Sequence, residues 1–208
     1  MTLGRCDGIV LAAGAGTRYG RPKALAADGD WLRSAVAALR GGGCAEVVVV
    51  LGATGPARPV VNGGWRISEQ PAIDLPAAAR SVWAADWATG LSASLRAGLG
   101  ALTAESGAPA AEYAAIMPVD TPDVGPAVVA RVLAAARAAD SGLARAVFDD
   151  APGHPVVIAH KHWTGVIDSA RGDSGARTFL DKRPDMVAVT CDDLATGRDH
   201  DYPHNRAR

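Results

Sequence analysis

Short apolar runs with helical segments between them constrain this chain's fold more than any other feature of its sequence. Three runs, "GIVLAAG" from Gly8, "EVVVVLG" from Glu46 and "YAAIMPVD" from Tyr113, are bounded by Gly or Pro, the pattern of strands buried in a sheet. Between the first two, "DWLRSAVAALRGGG" repeats apolar residues at Leu32, Ala35, Val36 and Leu39 and then meets a glycine run, which predicts a helix joining parallel strands. "SASLRAGLGALTAE" and "PAVVARVLAAARAAD" carry the same spacing, the latter with Pro126 in the first turn. Alternation of this kind predicts an α/β fold: an open, mostly parallel sheet with helices on both faces and a ligand crevice beyond the carboxyl ends of the strands. "GHPVVIAH" and "DMVAVTCDD" read as added strands, whereas residues 52–79 are too rich in Pro and Gly to assign. No internal repeat or low-complexity linker divides the chain, and 208 residues suit one domain, 1–208.

Composition narrows the partners. With 21% charged residues and a formal net charge of -1, there is no bulk electrostatic case for nucleic acid or an acidic membrane face, so any anion site is local. Cys6, Cys44 and Cys191 form neither a CxxC pair nor a disulfide framework, which predicts reduced thiols and a cytoplasmic protein. There is no signal-like start, and the apolar runs are too short to cross a bilayer.

The stretch "GIVLAAGAGTRYGRPKAL" sits where the first strand ends, the position at which an α/β sheet offers free backbone N–H groups to an anion. Spacing excludes two phosphate motifs. No glycine stands in GxxxxGK relation to Lys23, and in GxGxxG the third position is Tyr19, with Gly20 one place late. The second strand also ends in Gly52 rather than in an acid for a ribose, which disfavours an NAD-dependent oxidoreductase. What remains is a glycine loop followed by Arg18 and Lys23. A bidentate and a point cation suit a triphosphate whose charge shifts during displacement at phosphorus; the alternative is a solvated surface loop.

"LAAGAGTRYGRPKAL" resembles the signature LAAGxSxRMGxxKxLL of the MobA-like nucleotidyltransferases, and more closely that of the molybdenum cofactor cytidylyltransferases. Leu11 to Gly14, Arg18, Gly20 and Lys23 match it. "DWATGLSASLRAGL", "VDTPDV", "GHPVVI" and "GDSGAR" follow in the family's order, so the resemblance spans nearly the whole chain. It implies a Rossmann-like three-layer α/β/α fold of the nucleotide-diphospho-sugar transferase type. The implied activity is transfer of a nucleoside monophosphate, CMP from CTP favoured, to molybdopterin with release of pyrophosphate and with Mg²⁺ as cofactor.

By this resemblance Arg18, Lys23 and Asp120 are catalytic. Leu11, Ala12, Ala13, Gly14, Gly16, Ser92 and Ser94 contact the nucleotide, His154 and Asp173 face the acceptor, and Asp120 with Asp201 holds the metal, Asp199 being the fallback. Each has a plainer reading. Asp120 can cap the turn before Pro122, either serine can start a helix as its N-cap, Asp173 can only orient its turn, Trp87 can only pack, and the tail "RDHDYPHN" can be solvated. His160, His162, His200 and His204 read as surface residues. Thr121 stands where the cytidylyl branch carries Gln, which keeps a guanylyltransferase open, while "LAAG" and "GHPV" favour CTP. Another phosphorylated acceptor, or a cofactor carrier serving a molybdenum hydroxylase or its maturation proteins, is the remaining alternative.

Overall fold

The computed structural model describes residues 4–55, 57–59, 65–67, 73–103 and 110–202. Nine strands and five α-helices occur among them: β1 (Cys6–Ala12), α1 (Asp30–Gly41), β2 (Val47–Leu51), β3 (Ala57–Pro59), β4 (Trp65–Ile67), β5 (Arg80–Trp83), α2 (Leu91–Thr103), β6 (Tyr113–Pro118), α3 (Pro126–Ala138), β7 (Leu143–Phe148), β8 (Ala151–Ala159), α4 (Trp163–Ser169), α5 (Arg177–Leu180) and β9 (Val187–Thr190). The runs at Gly8, Glu46 and Tyr113 are β1, β2 and β6, and Pro126 opens α3 as expected.

Seven strands form one sheet in the order β5-β2-β1-β6-β8-β7-β9, and β3 pairs with β4 in a separate ribbon. β5, β2, β1 and β6 are mutually parallel, β8 runs against both β6 and β7, and β9 is parallel to β7. The sheet is therefore mixed and largely parallel. The segment left unassigned from the sequence supplies the β3–β4 ribbon, and β5 follows it at the sheet's edge.

Period-two alternation distributes the strand residues between two cores. Val47, Val49 and Leu51 of β2 join Leu32, Val36 and Leu39 of α1 and Val129, Val132 and Leu133 of α3 on one face. Val48 and Val50 join Leu95 and Leu99 of α2, Trp163 of α4 and Leu180 of α5 on the other. The result is the predicted α/β/α sandwich. Cys6, Cys44 and Cys191 are all free and buried. No helix among the described residues is long and apolar enough to cross a membrane.

Candidate functional site

Because β1 and β6 are parallel neighbours, the segments leaving them emerge at the same edge of the sheet. Val119 N–H donates to Leu11 O at 3.2 Å, which carries the pairing one step beyond β6 and delivers Asp120 beside the glycine loop. The loop turns tightly there. Gly16 has φ +65, and a Cβ on it would lie 1.8 Å from Arg21 O, so neither the dihedral nor the space admits a side chain. Gly20 N–H closes the turn on Gly16 O at 2.7 Å, whereas the N–H groups of residues 14–19 donate to nothing among the described residues. Unpaired N–H groups in a bend are an anion-binding surface.

Lys23 follows the loop and reaches back over it. Its Nζ donates to Asp120 Oδ2 at 2.6 Å and to Asp201 Oδ1 at 2.7 Å, and Arg18 Nη1 lies 3.0 Å from Asp201 Oδ2. Burial alone would lower the Lys23 pKa, but the hydrogen bonds to the two carboxylates hold it above its ordinary value, so the ammonium stays charged. Asp201 is held below the usual carboxylate range, chiefly by its hydrogen bond from Lys23. Asp120 Oδ1 is buried with no hydrogen-bond partner among the described residues. Asp199 forms no ion pair there, and partial desolvation, with Asp120 and Asp201 nearby, pushes its carboxyl up.

The tail reaches this point because Asp123 clamps it. Asp123 Oδ2 accepts from Thr196 Oγ1 at 2.6 Å, Thr196 N at 2.7 Å and Gly197 N at 3.2 Å, and His200 N–H donates to Asp120 O at 3.1 Å. His200 is half-buried and packs on Trp31, which in turn packs on Tyr19 of the loop, each pair with ring centroids 5.3 Å apart. The described tail is thus seated against the site rather than solvated; His204 lies outside the described residues.

A cavity of about 540 Å³ gathers Leu11, Ala12, Gly14, Gly16, Arg18, Lys23, Asp120, His154, Asp173, Asp199 and Asp201. A smaller one of about 310 Å³ beside it takes in Ala13, Gly14, Trp87, Ser94 and Asp173. Ser92 is buried and lines neither. The helix starts at Leu91, so neither serine occupies a cap position. Trp87 both packs on the second core and lines the smaller cavity. Gly90, with φ +117, lets the start of α2 approach the Gly172–Ser174 turn so closely that a Cβ would sit 2.5 Å from Gly172 C, and this brings Asp173 to the cavity wall. Burial is the main cause that lowers His154 to about 4, with Asp120 opposing and Arg145 reinforcing it.

Sequence reasoning missed the Asp123 clamp and the Tyr19–Trp31–His200 stack. An Asp at a turn and scattered aromatics signal neither. Thr121, which the sequence singled out for the choice of nucleotide, is 2% exposed, and its Oγ1 has no hydrogen-bond partner among the described residues. No group of three or more His, Cys, Asp or Glu is gathered as a metal centre among the described residues.

The MobA-like NTP transferase domain matches residues 8–187. Nicotine blue oxidoreductase of Paenarthrobacter nicotinovorans is 34% identical over 203 residues, covering 93% of this chain and 91% of that protein. Among solved structures, a homologue of Mycobacterium tuberculosis Rv0371c from Mycobacterium sp. strain JC1 superposes with a TM-score of 0.67 at 26% identity, over 95% of this chain and 91% of that one. Two more share the fold. A nucleotidyl transferase from Methanothermobacter thermautotroptrophicus has a TM-score of 0.61 at 21% identity, over 90% and 88% of the two chains. Rv0371c in complex with manganese has a TM-score of 0.60 at 22% identity, over 90% and 88%.

Proposed function

Because the chain belongs to the MobA-like NTP transferase domain family, we propose that it is a nucleotidyltransferase that moves CMP from CTP to the terminal phosphate of molybdopterin and releases pyrophosphate. The observation that carries this reading is the meeting of Lys23 with Asp120 and Asp201 beside a glycine loop in which the N–H groups of residues 14–19 have no acceptor among the described residues. A charge-dense phosphate chain needs such a setting, with fixed backbone donors and cations on one side and carboxylates able to hold a divalent ion on the other.

The residues fit Mg²⁺. Asp120 Oδ1 is buried and has no hydrogen-bond partner among the described residues, while Asp120 Oδ2 and Asp201 Oδ1 converge on a single cationic atom. A Mg²⁺ site asks for one or two carboxylates, with phosphate oxygens and water completing it. Asp120 and Asp201 would hold the ion, and when bound it would neutralise charge on the phosphate oxygens. The manganese complex of Rv0371c supports a divalent ion in this fold.

In the reaction an oxygen of the acceptor phosphate attacks the α-phosphorus in line. The bond from that phosphorus to the bridging oxygen breaks, and pyrophosphate departs with the electron pair. Lys23 and Arg18 offset charge on the triphosphate and the leaving group, the loop N–H groups fix it, and no side-chain nucleophile takes part. In this reading Ala13, Gly14 and Ser94 of the smaller cavity would take the nucleotide, and His154 with Asp173, which borders both cavities, would face the acceptor. CTP over GTP rests on "LAAG" and "GHPV"; Thr121 is the feature that speaks for GTP.

A second reading has one specific support: the 34% identity with a protein named as an oxidoreductase. In that reading the same cavity takes a nicotinamide nucleotide. Purified protein with Mg²⁺, molybdopterin and CTP, GTP, ATP or UTP in turn decides between them. Pyrophosphate release with CTP alone is expected. Release with GTP alone would make the enzyme a guanylyltransferase. In a parallel assay with NADH or NADPH and a quinone dye as hydride acceptor, oxidation of the nicotinamide and reduction of the dye, without any pyrophosphate release in the first assay, would overturn the transferase reading.

A further inference from the structure

A cavity of about 380 Å³ adjoins the first and shares Leu11, Leu91, His154 and Asp173 with it. Its floor is the α2 face of the sheet. Pro152, His154, Val156 and Ile158, alternate residues of β8, line it together with Ile116 of β6 and Leu95 of α2. Into this apolar surface β7 places a cation. Ala144 and Ala146 belong to the opposite core, so Arg145, paired with Val156 in the β7–β8 register, stands on the cavity side.

Arg145 is an expensive residue to keep there. Its Nε is buried without a hydrogen-bond partner, and the side chain forms no ion pair among the described residues. Asp181, the nearby acid, lies 3.6 Å from Arg177 and attracts Arg145 only from a distance. A partly desolvated guanidinium costs stability unless something pairs with it, and a cleft is where such a cost is retained for a ligand.

We propose that this second cavity is a ring-binding site and that Arg145 selects a planar heterocycle by an oxo oxygen on its edge. This rests on the transferase reading and names how its acceptor is recognised. The apolar floor covers a ring face, Ser174, Arg177 and Asp181 also border the cavity, and the Arg145 guanidinium fork meets a carbonyl-type acceptor in the ring plane. The shared wall lets the ring occupy this cavity while its phosphate arm extends into the first. His154 lines both cavities and so stands where the ring and its phosphate arm would join.

Fluorescence titration of the full chain with pterin, and with diaminopteridine, in which an amino group replaces the oxo oxygen, tests this. Wild-type protein should bind pterin more tightly. Arg145→Leu should weaken pterin about tenfold or more and abolish the preference, Arg145→Lys should fall between, and CTP affinity should stay unchanged in both. The thermal midpoint of Arg145→Leu should hold or rise, since a cation kept for structure would show a fall. Pterin binding in Arg145→Leu equal to wild type, or no preference in wild type, overturns the proposal. Pyrophosphate release bears on the transferase reading alone, so Arg145-dependent pterin binding without release would overturn that reading and leave this site standing.

Discussion

Removing the Lys23 ammonium would leave the carboxylates of Asp120 and Asp201, now 2.6 and 2.7 Å from one nitrogen, facing each other with no cation between them. Lys23→Ala and Asp120→Ala should each lower pyrophosphate release by roughly a hundredfold or more, since in the proposed reaction both act on charge at phosphorus, with circular dichroism unchanged. His154 gives a pH test. Burial lowers it to about 4 from the ordinary imidazole value of 6.5, so the unfolded chain binds its proton first as pH drops. Stability is therefore lost as pH falls from about 6.5 through about 4, and His154→Gln should flatten that leg of a thermal-midpoint profile. At this scale Arg18, Lys23 and Asp120 were legible, because a loop after a strand and an acid after another strand can only meet at one sheet edge. Arg145 was not. An Arg amid the apolar residues of "LARAVF" looks like an outward position until the register shows which face it takes.

The glycine loop separates fold from ligand through two neighbouring substitutions. Gly16→Ala meets both φ +65 and the Arg21 carbonyl, so it should lower the thermal midpoint as well as nucleotide affinity. A Cβ on Gly14 meets nothing within 4 Å. Gly14→Ala should leave the midpoint nearly unchanged and still weaken CTP in a titration, because only the ligand approaches there. Among elements, β1, β2, β6 and α1 to α3 were readable from hydrophobic period. β5 escaped because four residues with an Arg at one end carry too little pattern. The direction of β8 escaped for a different reason: alternation specifies a face and says nothing about which way a strand runs.

At the scale of the whole molecule, the sheet brings distant segments to one edge and Asp123 locks the tail across them. Asp123→Ala removes the acceptor shared by Thr196 and Gly197, so Asp201 would no longer be held at Lys23. Pyrophosphate release should fall about tenfold or more while nucleotide binding to the loop changes little, since what is lost is positioning; release at saturating CTP, set beside a CTP titration, checks this. The layered fold was legible as an order of elements. The tail's seat was not, because its bonds run to a single carboxylate with no periodic pattern. The Lys23 to Asp201 contact spans 178 residues of sequence. On a ribosome adding about 5–20 residues per second, roughly ten to forty seconds separate the making of the loop from the arrival of the acid that meets it. On the proposed mechanism a nascent chain can thus offer its loop to a nucleotide long before it can turn one over, and transfer waits for the last described segment to dock.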